Sequence, residues 1–260
     1  MSNTSETRST TVHSVDRAIS ILQVLARRGA VGVTPISEEL GVHKSTVFRL
    51  LATLEARGLV EQSASRGDYQ LGYGVIQLAA GATRKHDISV TSRPICMALA
   101  DAVGETVNIV INDGEEAITI DQVIGSAEIT SVNWVGQRSP LHTTASGKVF
   151  LAAMSPEDRR RIIEGGLERY TEQTVVDPVL LEEQLTEFRK LGYAYSADEH
   201  EIGLTGVAAP IRSLGGGVIA AVVASGPSFR ITSEKVPELA EHVLAAAAAI
   251  SERNGFPKAE

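Results

Sequence analysis

Residues 34–58, TPISEELGVHKSTVFRLLATLEARG, decide the fold of the first part of the chain. Two amphipathic stretches meet there at Gly41, which ends a helix cheaply because a residue without Cβ enters the left-handed backbone region freely. In the first stretch, Thr34 is expected to cap the helix with its hydroxyl and Pro35 to take the first helical position. Glu38 and Glu39 are expected to favour the positive end of the helix dipole. The second helix is predicted to start near His43. Spacings of three and four residues then put Val47, Leu50, Leu51 and Leu54 on one face, a stripe to bury against Ile36 and Leu40. His43, Lys44, Ser45, Thr46 and Arg49 remain at the leading end of the other face. Cations and hydroxyls placed so are what a recognition helix presents to phosphates and base edges.

An ordinary helical hairpin with a solvated face has the same pattern, so the flanks decide. After Gly58 the chain reads LVEQSASRGDYQL, two short alternating segments around a polar, glycine-containing turn, a hairpin where a winged helix has its wing. Arg66 in that wing is expected to meet the neighbouring DNA backbone. Before the motif, SVDRAISILQVLARR repeats Val15, Ile19, Leu22 and Leu25 at helical spacing and supplies a third helix. Three helices and a wing form a complete DNA-binding module.

At 260 residues the chain exceeds the usual single-domain size of roughly 100–200, which predicts two domains. The formal net charge of −8 is unevenly spread. Residues 1–86 hold ten Lys/Arg against seven Asp/Glu, and residues 87–260 hold fourteen against twenty-five. A mildly basic head suits counterion release from phosphates, while an acidic body is repelled by the duplex and restrains promiscuous binding. One cysteine, Cys96, supplies no disulfide framework and no multi-cysteine metal site. The first residues are polar, and no apolar run approaches the roughly 20 residues that span a bilayer, so the expected place is the cytoplasm, away from membranes.

Between the halves, GYGVIQLAAGATRKHDIS predicts a linker helix over about 74–86, with Arg84 and Lys85 at its end. From residue 92 the pattern becomes mixed. RPICMALADAVG reads as a helix with Pro94 in its first turn and Gly104 as its stop. TVNIVIN and AITIDQVI read as strands joined by Asp113-Gly114, and EITSVNW as a further strand. Helices at SGKVFLAAM, PEDRRRIIEGG and PVLLEEQLTEFRKLG, strands at GYAYS, GVAAPIR and GVIAAVVAS, and a final helix over 232–254 complete the reading. The sequential hairpins predict an α+β domain around a mostly antiparallel sheet. The domains expected are 12–72 for the DNA-binding head, 73–87 for the linker and 88–256 for the body.

Five segments, SVDRAISIL, STVFRLLATLEARGLV, PLHTTASGKVFLA, DEHEIGLTGVAAPI and VVASGP, resemble in order the isocitrate lyase regulator (IclR) family across nearly the whole chain. The resemblance implies a winged helix-turn-helix head, a linker helix and a GAF-like α/β effector-binding domain. It also implies a homodimer or tetramer (a dimer of dimers) on palindromic double-stranded operator DNA.

Thr144, Ala145, Ser146 and Gly147 fall where a loop passes into a helix, so free backbone N–H groups and the helix dipole there suit a carboxylate. The resemblance implies that Ala145, Ser146, Ser196, Gly206, Val223 and Ser225 face the ligand. Family members often have an acidic residue in the place of Ser196, a cysteine at Gly206 and a serine at Val223. The smaller or less polar groups here remove hydrogen bonds and leave room for a bulkier body, which favours an aromatic or hydrophobic acid over a two-carbon one. Walls are expected from Ile129, Ser131, Trp134 and Leu141.

Features that point to an enzyme are weaker. HTTASGKV lacks the first glycine and the magnesium-binding hydroxyl of a phosphate-binding loop. Asp198, Glu199, His200 and Glu201, with His142, lack a second well-spaced group of metal ligands. Ser146 has no G-x-S-x-G elbow, and Cys96 sits in an apolar helix. The expectation is a one-component transcription factor with no catalytic residues, metal or cofactor. The rivals are an enzyme acting on a small acid, with the head serving association, and a structural DNA-binding protein with a degenerate sensor.

Overall fold

The computed structural model describes residues 12–63, 67–83, 88–126 and 133–257. Arg66, Arg84, Lys85, Ile129, Ser131 and most of the expected EITSVNW strand lie outside these residues. The chain divides into two compact units that meet in sequence at 86/87.

The first unit runs α1 (His13–Arg28), β1 (Val31–Gly32), α2 (Val33–Leu40), α3 (Lys44–Ala56), β2 (Val60–Gln62), β3 (Asp68–Leu71) and α4 (Gly74–Thr83). The expected wing hairpin is the antiparallel β2–β3 pair, and β1 adds a third strand on the far side of β3. Gly41 caps α2 in the left-handed region, with φ 62°, as the motif requires. Three local expectations need correction. The N-cap of α2 is Gly32, with no side-chain cap, so Thr34 and Pro35 are its second and third residues, within the first turn. No acidic residue occupies the first turn of α2, because Glu38 and Glu39 fall in its last turn. Glu39 instead accepts from Arg27 and Arg28 of α1 at 2.8 and 3.0 Å, and the Arg28 and Arg27 guanidinium groups hold its carboxyl below the ordinary value.

The third correction concerns α1. Its buried residues are Ile21, Val24 and Leu25, whereas Val15 and Ile19 are half exposed. The apolar stripe of α1 is wider than its contact with α2 and α3, and the core takes only the C-terminal half. That core is Ile21, Leu25, Ile36, Val47, Leu51, Leu54, Val60 and Tyr69, with Leu40 and Leu50 against its edge. Each fully buried branched side chain contributes about 1.5–3 kcal/mol, so α3 is held by its apolar face and not by its helix propensity.

The second unit runs α5 (Ile88–Val103), β4 (Thr106–Asn112), β5 (Glu116–Val123), β6 (Arg138–Pro140), α6 (Ala145–Ala153), α7 (Pro156–Glu164) and α8 (Pro178–Leu191). It ends with β7 (Ala194–Ala197), β8 (Leu204–Arg212), β9 (Val218–Pro227) and α9 (Val236–Arg253). The six strands pair antiparallel in the order β6-β5-β4-β9-β8-β7, the sheet type expected. Alternation sends Val107, Ile109, Val207 and Val222 to a core under α5 and α9. Val110, Ala117, Ala208, Ala221 and Val223 go to the opposite face, under α6 and α8. Both faces are covered, which explains why these strands read as continuous apolar runs.

Helix α5 starts at Ile88, five residues before the expected start at Arg93, so Pro94 lies in its interior and not in its first turn. Helix α9 starts at Val236 instead of 232, after a turn. Cys96 is buried against α9 and the sheet, and desolvation pushes its thiol up to about 12, which makes it inert at neutral pH.

Candidate functional site

The recognition residues expected from the sequence lie at the leading end of α3. His43 is the extended N-cap residue and offers no side-chain cap, so the backbone N–H groups of Lys44 and Ser45 have no partner among the described residues. His43, Lys44, Ser45 and Arg49 are exposed, and Thr46 is half-buried against the unit. Lys44 and Arg49 make no ion pair among the described residues, which leaves both cations for an external anion. The sequence reading missed Phe48, an apolar ring 57% exposed one turn beyond Lys44.

In the second unit, a cavity of about 80 Å³ opens between the N-terminus of α6 and the sheet. A single water needs roughly 10–15 Å³, so this space takes a small molecule. Seven expected residues line it: Trp134, Ala145, Ser146, Ser196, Gly206, Val223 and Ser225. Register explains their convergence. Ser196 pairs with Gly206 and Gly206 with Ser225, and Val223 pairs with Asn108 in the next row, so two adjacent rows of side chains share the face beneath α6. Leu141 is a correction, because it is 1% exposed and belongs to the core under α6 instead of the cavity wall.

The N-terminus of α6 is set by two residues. Thr144 caps it, its hydroxyl accepting from the Gly147 N–H at 3.1 Å. The N–H groups of Ala145 and Ser146 then have no partner among the described residues, and both residues line the cavity. Gly147 must lack a side chain, since a Cβ there would lie 2.2 Å from the Leu141 carbonyl oxygen. This close approach, and not phosphate binding, is what the glycine serves.

Thr144 also lines the cavity, as do Asn108, Val110, Ala117, Thr119, Ser139, His200 and Leu204, which were missed. Asn108 was the most legible of them, a lone amide inside the apolar run of β4. Its Nδ2 donates to Ser225 Oγ at 3.3 Å, while its Oδ1 is buried without a partner. Thr143 donates its hydroxyl proton to the Pro140 carbonyl, so its oxygen accepts from His200 Nδ1 at 3.0 Å. His200 is then the Nδ1–H tautomer, and burial holds its pKa below the ordinary value.

The acidic and histidine cluster around residue 200 is bound to protein groups. Asp198 accepts from Gly203 N–H and Ser228, and Glu199 meets Lys148 at 2.5 Å. His142 Nε2 lies 2.9 Å from the Glu168 carbonyl, and burial lowers its pKa too. Among the described residues no three such side chains converge as a metal site. Lys148 is fully buried and also donates to Gln184 at 2.9 Å. Burial pulls the ammonium of Lys148 down and the carboxyl of Glu199 up, each opposed by its partner's charge. The pair ties α6 to the loop that carries His200, so both sides of the cavity share one buried anchor. No helix among the described residues is long and apolar enough to cross a membrane.

Comparison with known proteins agrees with this architecture. A profile described as "Bacterial transcriptional regulator IclR C-terminal" matches residues 80–252, and one described as "IclR helix-turn-helix domain" matches residues 14–64. The HTH-type transcriptional repressor AllR of Escherichia coli K12 is 35% identical, over 94% of this chain and 90% of its own length. The crystal structure of the Thermotoga maritima IclR superposes with a TM-score of 0.79 at 29% identity, covering 95% of this chain and 100% of the other. An IclR homolog from Microbacterium hydrocarbonoxydans, solved in complex with 4-hydroxybenzoate, superposes with a TM-score of 0.81 at 25% identity, covering 92% and 98%. A reading head, an antiparallel sensor fold and similarity along nearly the whole chain place this protein in the IclR family of DNA-binding transcriptional regulators, not among enzymes.

Proposed function

We propose that the protein reads an operator through α3 and that a small organic acid in the α6 cavity controls this binding. The cavity carries the proposal: two free backbone N–H groups at a helix N-terminus form an anion seat, and Val110, Trp134, Leu204 and Val223 supply apolar walls beside it. Gly206 supports a bulky ligand, because a Cβ there would stand 3.6 Å from Ala145 and Val223 and narrow the space between them. An aromatic or hydrophobic acid fits such walls better than a two-carbon acid, and the 4-hydroxybenzoate complex of the M. hydrocarbonoxydans homolog supports the class. On the DNA side, Lys44, Arg49 and, in the wing, Arg66 meet phosphate or guanine, and His43, Ser45 and Thr46 meet adjoining phosphates or bases.

The protein works as a homodimer or dimer of dimers on a palindromic operator in the cytoplasm. Apolar side chains left exposed along the first unit support self-association: Val12, Val15 and Ile19 on and beside α1, and Tyr73, Ile76 and Leu78 on and beside α4. The repressor name of the E. coli relative supports repression. Ligand binding shifts which arrangement of the dimer is populated, by as much as the acid's differential affinity for the two.

The test is selection of duplexes from a random pool by the purified chain, followed by anisotropy titration of the enriched site against salt, with and without benzoate-type acids. A palindromic site whose affinity falls steeply with salt and shifts when an acid is added is the expected result. Absence of any enriched sequence overturns the DNA reading. An affinity untouched by every acid overturns the sensor reading.

A further inference from the structure

We propose that the cavity's ligand is a hydroxylated acid: besides the carboxylate at the N-terminus of α6, it carries a hydroxyl that hydrogen-bonds the side-chain amide of Asn108. This rests on the acid-binding reading above and adds a second anchor to it. Asn108 is 6% exposed, lines the cavity and stands opposite Val223 on the face beneath α6. Its Nδ2 donates to Ser225 Oγ, and its Oδ1 has no partner. A buried amide oxygen without a hydrogen bond is rare in folded proteins, since it has given up water and received nothing in return. Val223 opposite on β9 and Val110 two residues along are aliphatic and offer no donor, and Gln122, opposite on β5, makes no hydrogen bond to this oxygen. The missing partner comes from the cavity.

Turning the amide over exchanges its oxygen and nitrogen. Oδ1 then accepts from the Ser225 hydroxyl, and Nδ2 is the atom left without a partner. A ligand hydroxyl donates and accepts, so it satisfies the amide in both orientations, whereas a methyl group satisfies neither. Geometry sets the length of the ligand. Ala145 stands over Gly206 of β8, and Asn108 lies on β4, two strands away across β9. Two inter-strand spacings put these backbones roughly 9–10 Å apart, and the Asn108 amide reaches back to Ser225 on β9, which leaves room for a body of several atoms between carboxylate and hydroxyl.

The test is calorimetric titration of the full chain with acids matched in size, 4-hydroxybenzoate against 4-methylbenzoate and 6-hydroxyhexanoate against heptanoate. In at least one pair the hydroxylated member binds tenfold or more tightly, and Asn108→Val removes that preference. Equal affinity within each pair that binds the native chain overturns the proposal and leaves the acid-binding reading standing. A preference that persists undiminished in a folded Asn108→Val variant also overturns it. If none of the four acids binds, the acid-binding reading falls and this proposal falls with it.

Discussion

Replacing Lys148 by methionine, which keeps the length and apolar stem of the side chain, removes the cation that faces Glu199 at 2.5 Å. What remains is a carboxylate whose side chain is 8% exposed, with the Val175 N–H at 3.4 Å as its remaining donor among the described residues. Breaking a buried pair in this way costs about 3–5 kcal/mol. The protein has one escape, which is to bind a proton at Glu199. With an ordinary carboxyl value of 4.5, neutralising it at pH 7 costs about 3.4 kcal/mol at 1.36 kcal/mol per unit, and at pH 5 only about 0.7 kcal/mol. The loss is therefore capped near 3.4 kcal/mol at neutral pH. In the variant the folded state holds its proton to higher pH than the unfolded chain does, so stability declines as pH rises from 4.5 toward 7. Urea denaturation of wild type and Lys148→Met at pH 5, 6 and 7 reads this directly. The double variant Lys148→Met/Glu199→Leu is expected to recover most of the loss and its pH dependence. A loss below 1 kcal/mol at pH 7, or one equal at pH 5 and pH 7, would refute the argument that Glu199 is a buried charge held by Lys148.

Three further outcomes follow from the same geometry. Arg49→Ala is expected to weaken operator binding by about 1–3 kcal/mol if it reads a base, and Lys44→Ala to lower the salt slope by about 1; titrations at several salt concentrations check both, and unchanged affinity in both variants removes α3 from the interface. Ser146→Phe fills the mouth of the anion seat, so calorimetry should show loss of acid binding while operator binding persists. His142 and His200 both have pKa values lowered by burial, so each contributes stability above the unfolded value of about 6.5 that is lost as pH falls below it. The melting temperature should drop between pH 7 and pH 5.5, and His142→Asn/His200→Gln should flatten that drop.

The helix-turn-helix was legible because its determinants are local. Apolar spacing along 43–56 and Gly41 at the turn define α3 whatever the rest of the chain does. Capping was less legible. Thr34 looked like the N-cap, yet β1 pairs with β3 and delivers the chain to α2 two residues earlier, a tertiary event that no capping propensity contains. For α1 the apolar period was visible, but which part of the stripe the unit buries depended on where α2 and α3 cross it.

The sensor divides in the same way. Strand alternation, the helix start at 144–147 and the antiparallel hairpins are properties of neighbouring residues, and the chain declares them without help. The wall of the cavity is not such a property. Asn108 and Ser225 meet across 117 residues because β9 lies beside β4 in the sheet, and Lys148 and Glu199 meet across 51 because α6 packs over β7 and β8. Strand order is chosen by the burial of two whole faces at once, a cooperative sum over the unit that no local pattern records. Sequence alone thus determined that this chain has a helix-turn-helix and a helix that starts from the loop at 144–147. Tertiary structure decided which distant side chains stand opposite that helix start, and therefore what kind of molecule it can hold.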